Sequence, residues 1–377
     1  MSVDLYNFKL YRYPKKLVHA VHILLRQKYF SNRIRSSRRE KIVFVVPNGC
    51  FISGGILSII NMYHIAVGLF PQKDVFLATL ASFQKADTYR DVKTDARVIN
   101  LKYFLPDWLE QGDKILLHVY EDGLMAFLEN IKKMGLLPKL KNVTLNILNQ
   151  NQNFMPSEKE VGKYAHYFGK VTMTLAYESN IKDNQCKYLD MAPKHVGAYF
   201  EGEDPELVPF GKKENLCVLS DDKHPLKAAV KKKLIENGIE VYDTYPVPYN
   251  EFVRLQKRAK WTVSFGEGWD GYTMGQFNNG GIGFGVYQPE FAQSYFDAGN
   301  LPLFLFDSYE EMAERILERI ALYDDAGRFE EENRKWVSVM AQSYNINSRE
   351  KVRERWIDYY RQMGMLDSSA PAEAALK

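Results

Sequence analysis

"KIVFVVPNGCFISGGILSIINMYHIAVGLF", Lys41 to Phe70, sets the pattern that the rest of the chain repeats. Its opening "KIVFVVP" (Lys41–Pro47) is a continuous apolar run of strand length with β-branched residues, as a strand buried on both faces of a parallel sheet requires. "NGCFISGG" then reads as a loop and "ILSIINMYHIAVGLF" (Ile56–Phe70) as a helix. Further strands are expected at Asp74–Leu80, Ala96–Leu101, Lys114–Tyr120, Asn142–Asn149 and Val171–Tyr177, with helices at Gly123–Lys133 and Ser157–Phe168. Strands alternating with helices mean α/β with a parallel sheet.

"AYFEGEDPELVPFGKKEN" (Ala198–Asn215) breaks this rhythm with Gly, Pro and charge and reads as a linker. The alternation then restarts: strand Leu216–Leu219, helix Pro225–Asn237, strand Glu240–Thr244, helix Asn250–Ala259 and strand Trp261–Phe265. A short helix is expected near Tyr272–Asn279 and a strand near Ile282–Tyr287, and helices at "SYEEMAERILERIALYDD" and "SREKVRERWIDYYRQM" close the chain. A length of 377 residues suits two domains of roughly 150–200 residues better than one core. The expected fold is α/β, two doubly wound Rossmann-like domains facing a cleft. The divisions are a basic arm 1–40, an N-terminal domain 41–200, a C-terminal domain 201–345, a closing helix 346–365 and a disordered tail 366–377.

With 46% hydrophobic and 26% charged residues, the composition is that of an ordinary soluble globular protein. The aromatic share, 14%, suits sugar stacking and large cores alike. Cys50, Cys186 and Cys217 are scattered and odd in number, which argues for a reducing compartment and against a disulfide framework or a cysteine zinc site. No apolar run approaches the roughly 18–20 residues that cross a bilayer, and no signal-peptide pattern opens the sequence, so a cytoplasmic protein is expected.

The net charge of +3 hides an asymmetry: residues 1–41 carry eleven Lys/Arg against Asp4 and Glu40. Leu17, Val18, Val21, Leu24 and Leu25 recur there at helical spacing between basic residues. Such a helix can lie on an anionic membrane surface, or pack its apolar stripe on the neighbouring domain. Nucleic acid is not expected, because no binding motif accompanies the charge.

In doubly wound sheets ligands bind outside the carboxyl ends of the strands, which singles out four groups of loops. In "FISGG", Gly54 and Gly55 let a backbone approach a phosphate or sugar before the positive end of a helix, or merely make a tight turn. The spacing is neither GxGxxG nor GxxxxGK[ST], so the dinucleotide and P-loop readings lose support. "HVYEDG" offers His118 and Glu121 for a sugar hydroxyl or a proton, although a His ending a strand is commonly a satisfied structural residue. "NQNQNF" offers the carboxamides of Asn149 and Gln150, which both donate and accept; Asx turns are the alternative.

The fourth group lies in the second half. Lys223 in "SDDKHP" can neutralise a diphosphate, and "TYPVPYNE", with Tyr245 and Val247, is a Pro-stiffened turn that can read a base edge. "GEGWDGYT" supplies carboxylates at Glu267 and Asp270, and its Gly271, Tyr272 and Thr273 amides can meet phosphate at the start of a helix.

These loops together resemble the GT-B glycosyltransferases, particularly retaining enzymes of glycosyltransferase family 4 that build bacterial surface polysaccharides. The resemblance runs from about Lys41 to Met363. "NGCFISGGI" is similar to the family's Gly-rich loop after the first strand, "HVYED" to a "PE"-like strand end, and "ILNQNQN" to an "NQN" strand end. The basic residue of the "RK" pair maps to Lys223, and the nucleobase loop to "DTYPVPYNE". The hallmark of two Glu residues separated by seven others maps to "EGWDGYTMG", with Asp270 inserted; Gly275 or Gln276 stands where the second Glu usually holds the donor ribose. Asp222 stands where the family tends to place its first basic residue.

The resemblance implies a hexosyltransferase, retaining, that moves a sugar from a nucleotide diphosphate donor to a glycan or lipid-linked saccharide in lipopolysaccharide or capsule synthesis. Glu267, Lys223 and Glu121 are its expected catalytic residues. The donor would meet Tyr245, Val247, Gly268, Asp270, Gly271, Tyr272, Thr273 and Gln276; the acceptor would meet Gly54, Gly55, His118, Asn149 and Gln150. No cofactor or metal is expected, and the arm 1–40 would hold a cytoplasmic enzyme near the membrane. The alternatives are a sugar-nucleotide epimerase of similar bilobed fold and a non-catalytic glycan-binding or scaffold protein.

Overall fold

The structure is a computed structural model. It describes residues 34–35, 37–47, 54–80, 88–89, 92–93, 98–197, 207–244, 247, 249–292, 295–344 and 349–366. Nearly all of the basic arm, most of the "NGCFISGG" loop, residues 198–206 of the expected linker 198–215, Tyr245 and residues 367–377 of the expected tail 366–377 lie outside these residues. No helix among the described residues is long and apolar enough to cross a membrane. Two compact units are present. The first consists of described residues up to 197 other than Gly54, together with those from Arg353 onward; the second consists of Gly54 and those from 207 to Val352.

The first unit is built on a seven-stranded sheet of order β5-β2-β1-β6-β7-β8-β9. Its strands are β1 (Lys41–Val45), β2 (Asp74–Thr79), β5 (Val98–Asn100), β6 (Ile115–Tyr120), β7 (Val143–Asn149), β8 (Lys170–Leu175) and β9 (Lys194–His195), and every pairing is parallel. A small antiparallel pair, β3 (Thr88–Tyr89) with β4 (Val92–Lys93), stands apart. All five residues of β1 are buried, as its unbroken apolar run requires. From β1 the chain adds β2 and β5 on one side, then returns to add β6 through β9 on the other. The order therefore reverses between β1 and β6.

Helices α1 (Gly54–Leu69), α2 (Leu101–Glu110), α3 (Glu121–Lys133) and α4 (Glu158–Ala165) connect the strands. Leu101, expected in a strand, begins α2 instead, because the Asn100 side chain caps the helix by accepting from the Lys102 amide at 3.1 Å. On α3, Leu124, Phe127, Leu128 and Ile131 bury one stripe. Glu121 and Asp122 in its first turn and Lys132 and Lys133 in its last complement its dipole. Ser157 and Glu160 form a capping box at α4.

The register Phe44–His118–Asn146–Thr172 crosses the sheet from β1 to β8 and keeps those four side chains on one face. The last helix, α11 (Arg349–Gln362), packs Trp356, Tyr359 and Tyr360 against that row. The three rings are fully buried, and each contributes roughly 1.5–3 kcal/mol of apolar burial.

The second unit holds a five-stranded parallel sheet of order β11-β10-β12-β13-β14: β10 (Glu214–Leu219), β11 (Glu240–Asp243), β12 (Ala259–Val263), β13 (Ile282–Val286) and β14 (Leu305–Phe306). Here the order reverses between β10 and β12. Its helices are α5 (Lys227–Glu236), α6 (Tyr249–Arg258), α7 (Gly271–Asn278), α8 (Pro289–Ala292), α9 (Tyr309–Tyr323) and α10 (Ala326–Tyr344). α10 falls where no element is expected from sequence, yet Phe329, Asn333, Trp336 and Met340 are buried along one side of it. The Asn333 amide donates to the carbonyls of Phe277 and Gly281, both at 2.8 Å, and fixes α10 against the turn that leads into β13.

Candidate functional site

A doubly wound sheet opens a crevice outside the carboxyl ends of its strands where the strand order reverses. In the first unit that place is β1/β6, and in the second it is β10/β12. Polar residues gather at both.

At the first, Glu121 follows β6 as the first residue of α3 and is buried. Its Oε1 accepts from the Asn151 amide at 2.9 Å, while Oε2 is buried without a hydrogen-bond partner. Burial pushes the carboxyl up to about 7, against the pull of backbone bonds from residues 121, 150 and 151. Asn149 ends β7; its Nδ2 donates to Gln152 Oε1 at 2.9 Å and Asn184 Oδ1 at 3.1 Å, leaving Oδ1 buried and unpartnered. Gln150 Oε1 is likewise unpartnered and lies 3.3 Å from where a Cβ on Gly55 would stand. Glu121, Asn149, Gln150 and Gly55 thus come together at one end of the sheet, and Gly54 is the first residue of α1.

His118 does not join them. It sits in the middle of β6 with none of its surface exposed, stacked on Phe44 with centroids 4.4 Å apart and edged by Trp356 and Tyr360. Its Nδ1 lies 2.9 Å from Asn146 Nδ2, which also donates to Thr174 Oγ1. With Nδ1 accepting, the ring proton is on Nε2 and points to Tyr360 Oη at 3.3 Å. Burial lowers the imidazole to about 3. The expectation that His118 meets a sugar is therefore corrected: α11 walls it off as a neutral structural residue.

At the second switch point, the stretch Ser264–Thr273 folds tightly on itself. Gly268 has φ +74°, and a Cβ there would come within 1.9 Å of the Val286 carbonyl. A Cβ on Gly285 would in turn lie 2.4 Å from the Gly268 carbonyl. Two backbones touching at this distance explain why glycine recurs on both sides of α7. Trp269 turns inward, stacked on Phe304 at 5.7 Å and edge-on to Phe296 at 4.9 Å.

Asp270 caps α7. Its Oδ1 accepts from the amides of Tyr272 at 2.9 Å and Thr273 at 3.2 Å, and its Oδ2 accepts from the Ser264 hydroxyl. Burial and the nearby charge of Asp222 raise the Asp270 carboxyl, against those hydrogen bonds. The Tyr272 and Thr273 amides, expected to meet phosphate, are thus already engaged by a carboxylate from within the chain. Tyr272 Oη bridges Thr244 Oγ1 at 2.9 Å and Asp221 Oδ1 at 3.0 Å, joining the ends of β10 and β11. The Thr273 hydroxyl donates to the Gly268 carbonyl.

Gln276 corrects a second expectation. It is wholly buried, its Nε2 donates to the Ala259 carbonyl at 2.6 Å, and Ala259 begins β12 at the sheet end opposite the switch-point loops. A carboxamide held there cannot reach a ribose at the carboxyl ends. Glu267 is half-buried on the loop, with its carbonyl accepting from the Trp269 amide. Val247 donates its amide to the Thr244 carbonyl and packs its side chain beside Leu216, Val218 and Leu255.

Lys223 is exposed and has no hydrogen-bond or ion-pair partner among the described residues. Lys227, not among the expected site residues, opens α5 and sends its ammonium back to the Ser220 carbonyl and to within 3.5 Å of Asp243 Oδ1. His224, likewise not expected there, stacks on Tyr309 at 4.0 Å, with Nδ1 accepting from the Leu226 amide. A basic residue in the first turn after a strand was the available signal for Lys227. Among the described residues no group of three or more His, Cys, Asp or Glu could hold a metal ion.

No family model matches the sequence, and no curated protein matches it. Solved structures do. A structure described as a putative UDP-N-acetylglucosamine 2-epimerase from Listeria monocytogenes shares 10% identity over 88% of this chain and 98% of its own, with a TM-score of 0.50. The pneumococcal O-GlcNAc transferase GtfA, crystallised with UDP and GlcNAc, gives 10% identity over 86% and 99% with a TM-score of 0.49. The S. aureus MnaA–UDP structure gives 9% over 88% and 99% with a TM-score of 0.48. The likeness to the Listeria structure concerns the fold: two parallel α/β sheets on one chain, the GT-B arrangement.

Proposed function

We propose that the chain is a glycosyltransferase, moving a sugar from a nucleotide diphosphate donor to a glycan or lipid-linked saccharide in surface polysaccharide synthesis. The observation that carries the reading is that each sheet gathers its polar loop residues at its own switch point, with complementary chemistry. The C-terminal unit offers a free ammonium and a loop carboxylate; the N-terminal unit offers buried acceptors and a carboxyl that titrates near neutrality.

In this reading the donor lies on the C-terminal unit. Lys223 faces the leaving diphosphate, with Lys227 behind it, because Asp270 already engages the Tyr272 and Thr273 amides. Glu267 orients the donor sugar through its hydroxyls. The acceptor lies on the N-terminal unit beside Glu121, Asn149, Gln150 and Gly55. An acceptor hydroxyl bonds to the anomeric carbon as the bond to the diphosphate oxygen breaks; the leaving group departs with that electron pair, and the hydroxyl proton passes to the departing diphosphate oxygen. Retention of configuration and a hexosyl donor follow from the motif resemblance, and residues 1–40 would hold the enzyme on an anionic membrane.

A sugar-nucleotide epimerase is the second reading, favoured by the fold shared with the Listeria structure. Proton removal and return on a donor sugar need several carboxyls and a His in one cluster. Here His118 is inside the sheet packing, and β7 ends in the carboxamides of Asn149 and Gln150. Incubation with a panel of nucleotide sugars separates the readings: transfer predicts nucleotide release that rises with acceptor, epimerisation a changed donor with none. If calorimetry finds no nucleoside diphosphate bound, both fall.

A further inference from the structure

His224 stands on the loop after β10, directly following Lys223, where the second sheet reverses its strand order. Its ring is held in place from two sides. It stacks on Tyr309 with centroids 4.0 Å apart and planes 28° apart, and on Phe265 at 5.7 Å and 25°. Tyr309 is itself tied down: its hydroxyl shares one proton between the carbonyls of Phe265 and Gly266, each at 3.0 Å, and accepts from Gln288 Nε2 at 3.1 Å. The stack thus joins His224 to the loop that carries Glu267.

The tautomer is set as firmly as the orientation. Nδ1 accepts from the Leu226 amide at 3.2 Å, so the neutral ring carries its proton on Nε2. That N–H has no hydrogen-bond partner among the described residues. A donor whose place is settled before any ligand arrives stabilises charge without reorganising. Other donors nearby are spent: Asp270 engages the Tyr272 and Thr273 amides, and Ser220 and Asp243 engage the Lys227 ammonium. Lys223 and His224 keep theirs open. Asp222 lies against the same loop, since a Cβ on Gly266 would stand 2.8 Å from its Oδ2. An anion arriving beside that carboxylate needs directed hydrogen bonds as well as the one Lys223 charge.

We propose that His224 Nε2–H donates a hydrogen bond to the diphosphate of the sugar nucleotide, beside Lys223. That the ligand is a sugar nucleotide rests on the transferase reading. The ring keeps its proton throughout; the contact strengthens as negative charge gathers on the leaving diphosphate.

Two variants of the full chain separate this role from a purely structural one. His224→Gln places an amide N–H near Nε2 but removes the acceptor for Leu226. His224→Asn places an oxygen near Nδ1 but removes the outer donor. Both lose the ring equally. Calorimetry with UDP, ADP, GDP, CDP and dTDP on the wild type identifies the diphosphate to use. His224→Asn should weaken it about tenfold, the loss of one charge-assisted hydrogen bond, while His224→Gln should stay within about threefold of the wild type. A ring that only caps the turn and fills the stack gives the reverse order or equal losses, and either result overturns the proposal, as does His224→Asn binding like the wild type. Should either variant fail to unfold cooperatively in urea, His224→Phe keeps the stack and lacks both nitrogens; it should also bind about tenfold more weakly, and wild-type affinity would overturn the proposal. If the wild type binds no nucleoside diphosphate, the transferase reading falls and His224 with it; wild-type binding with unaffected variants removes the role of His224 alone.

Discussion

Acidification should weaken the first unit through His118, and the size follows from its surroundings. The neutral ring accepts at Nδ1 from Asn146 and points Nε2–H at Tyr360. Adding a proton would set Nδ1–H against the Asn146 amide, donor to donor, in a site with no solvent exposure. The group's ordinary value of 6.5 falls to about 3 in the fold. A base whose folded pKa is depressed supplies stability that is intact above 6.5 and is lost as pH falls towards 3. The full loss is ~5 kcal/mol, and between pH 7 and pH 5 it is about 2 kcal/mol, because only the unfolded chain takes up the proton over that range. His118→Phe keeps the stack on Phe44 but cannot titrate; it should cost roughly 1–3 kcal/mol at pH 7 by leaving Asn146 short of an acceptor. Urea unfolding of both proteins at pH 7 and pH 5 gives the answer as a difference of differences, in which every other titrating group cancels. The wild type should lose about 2 kcal/mol more than the variant over that interval. Equal losses would refute the reasoning, since His118 would then have to be as easily protonated folded as unfolded.

Glu121 should act in the opposite sense. Its folded value of about 7 lies above the ordinary 4.5, so the stability tied to its neutral form is present below pH 4.5 and lost as pH rises through 7. Glu121→Gln should therefore raise the unfolding free energy at pH 8, by ~3 kcal/mol at most, and raise it far less at pH 5; lower stability in urea at both would contradict this. Gln276→Ala should destabilise the second unit without changing nucleotide affinity by calorimetry, and Gln276→Glu should cost several kcal/mol more by burying a charge against the Ala259 carbonyl. Unchanged stability together with altered affinity would return Gln276 to the ribose. Gly268→Ala should cost roughly 2–4 kcal/mol in urea titration, because its positive φ and the Val286 carbonyl both refuse a Cβ. Lys223→Met should weaken UDP about tenfold and flatten the salt dependence of binding, and an unchanged salt slope would move the diphosphate elsewhere.

The elements that sequence could place were those whose hydrophobic pattern is local. β1 is buried on both faces and reads so at sight, and α3 shows its stripe at helical spacing. What escaped depends on contacts with distant parts of the chain. Leu101 looks like the end of a strand until the Asn100 side chain turns the backbone into α2. In α10 Glu, Arg and Lys surround Phe329, Trp336 and Met340, so its stripe is diluted and its place is fixed by Asn333 reaching Phe277 and Gly281. The candidate site divides in the same way. Glu121, Asn149 and Gln150 are legible because polar residues ending apolar strands are out of place in a core. His118 has the same local look, and only α11, more than two hundred residues later, decides that it is structural.

The inserted Asp270 ties the departures in the second unit to one cause. A carboxylate at that position satisfies two of the free amides at the start of α7, so the helix needs no external anion to complete its first turn. The neighbouring Asp222 makes the surroundings acidic, so a diphosphate approaching there would depend on side-chain cations from the β10 end. The helix that follows carries Tyr272 and, one turn on, Gln276 along the same face. That face runs from the bridge to Thr244 and Asp221 down to the Ala259 carbonyl at the far end of β12. Gly275, the other position where the second Glu of the motif could fall, has no side chain, and a Cβ there would lie 2.9 Å from Gln256 Oε1. Neither position can present a carboxylate to a ribose. Any ribose contact must then come from the loop itself, from Glu267 or from the end of β11, where Thr244 already holds the Tyr272 hydroxyl.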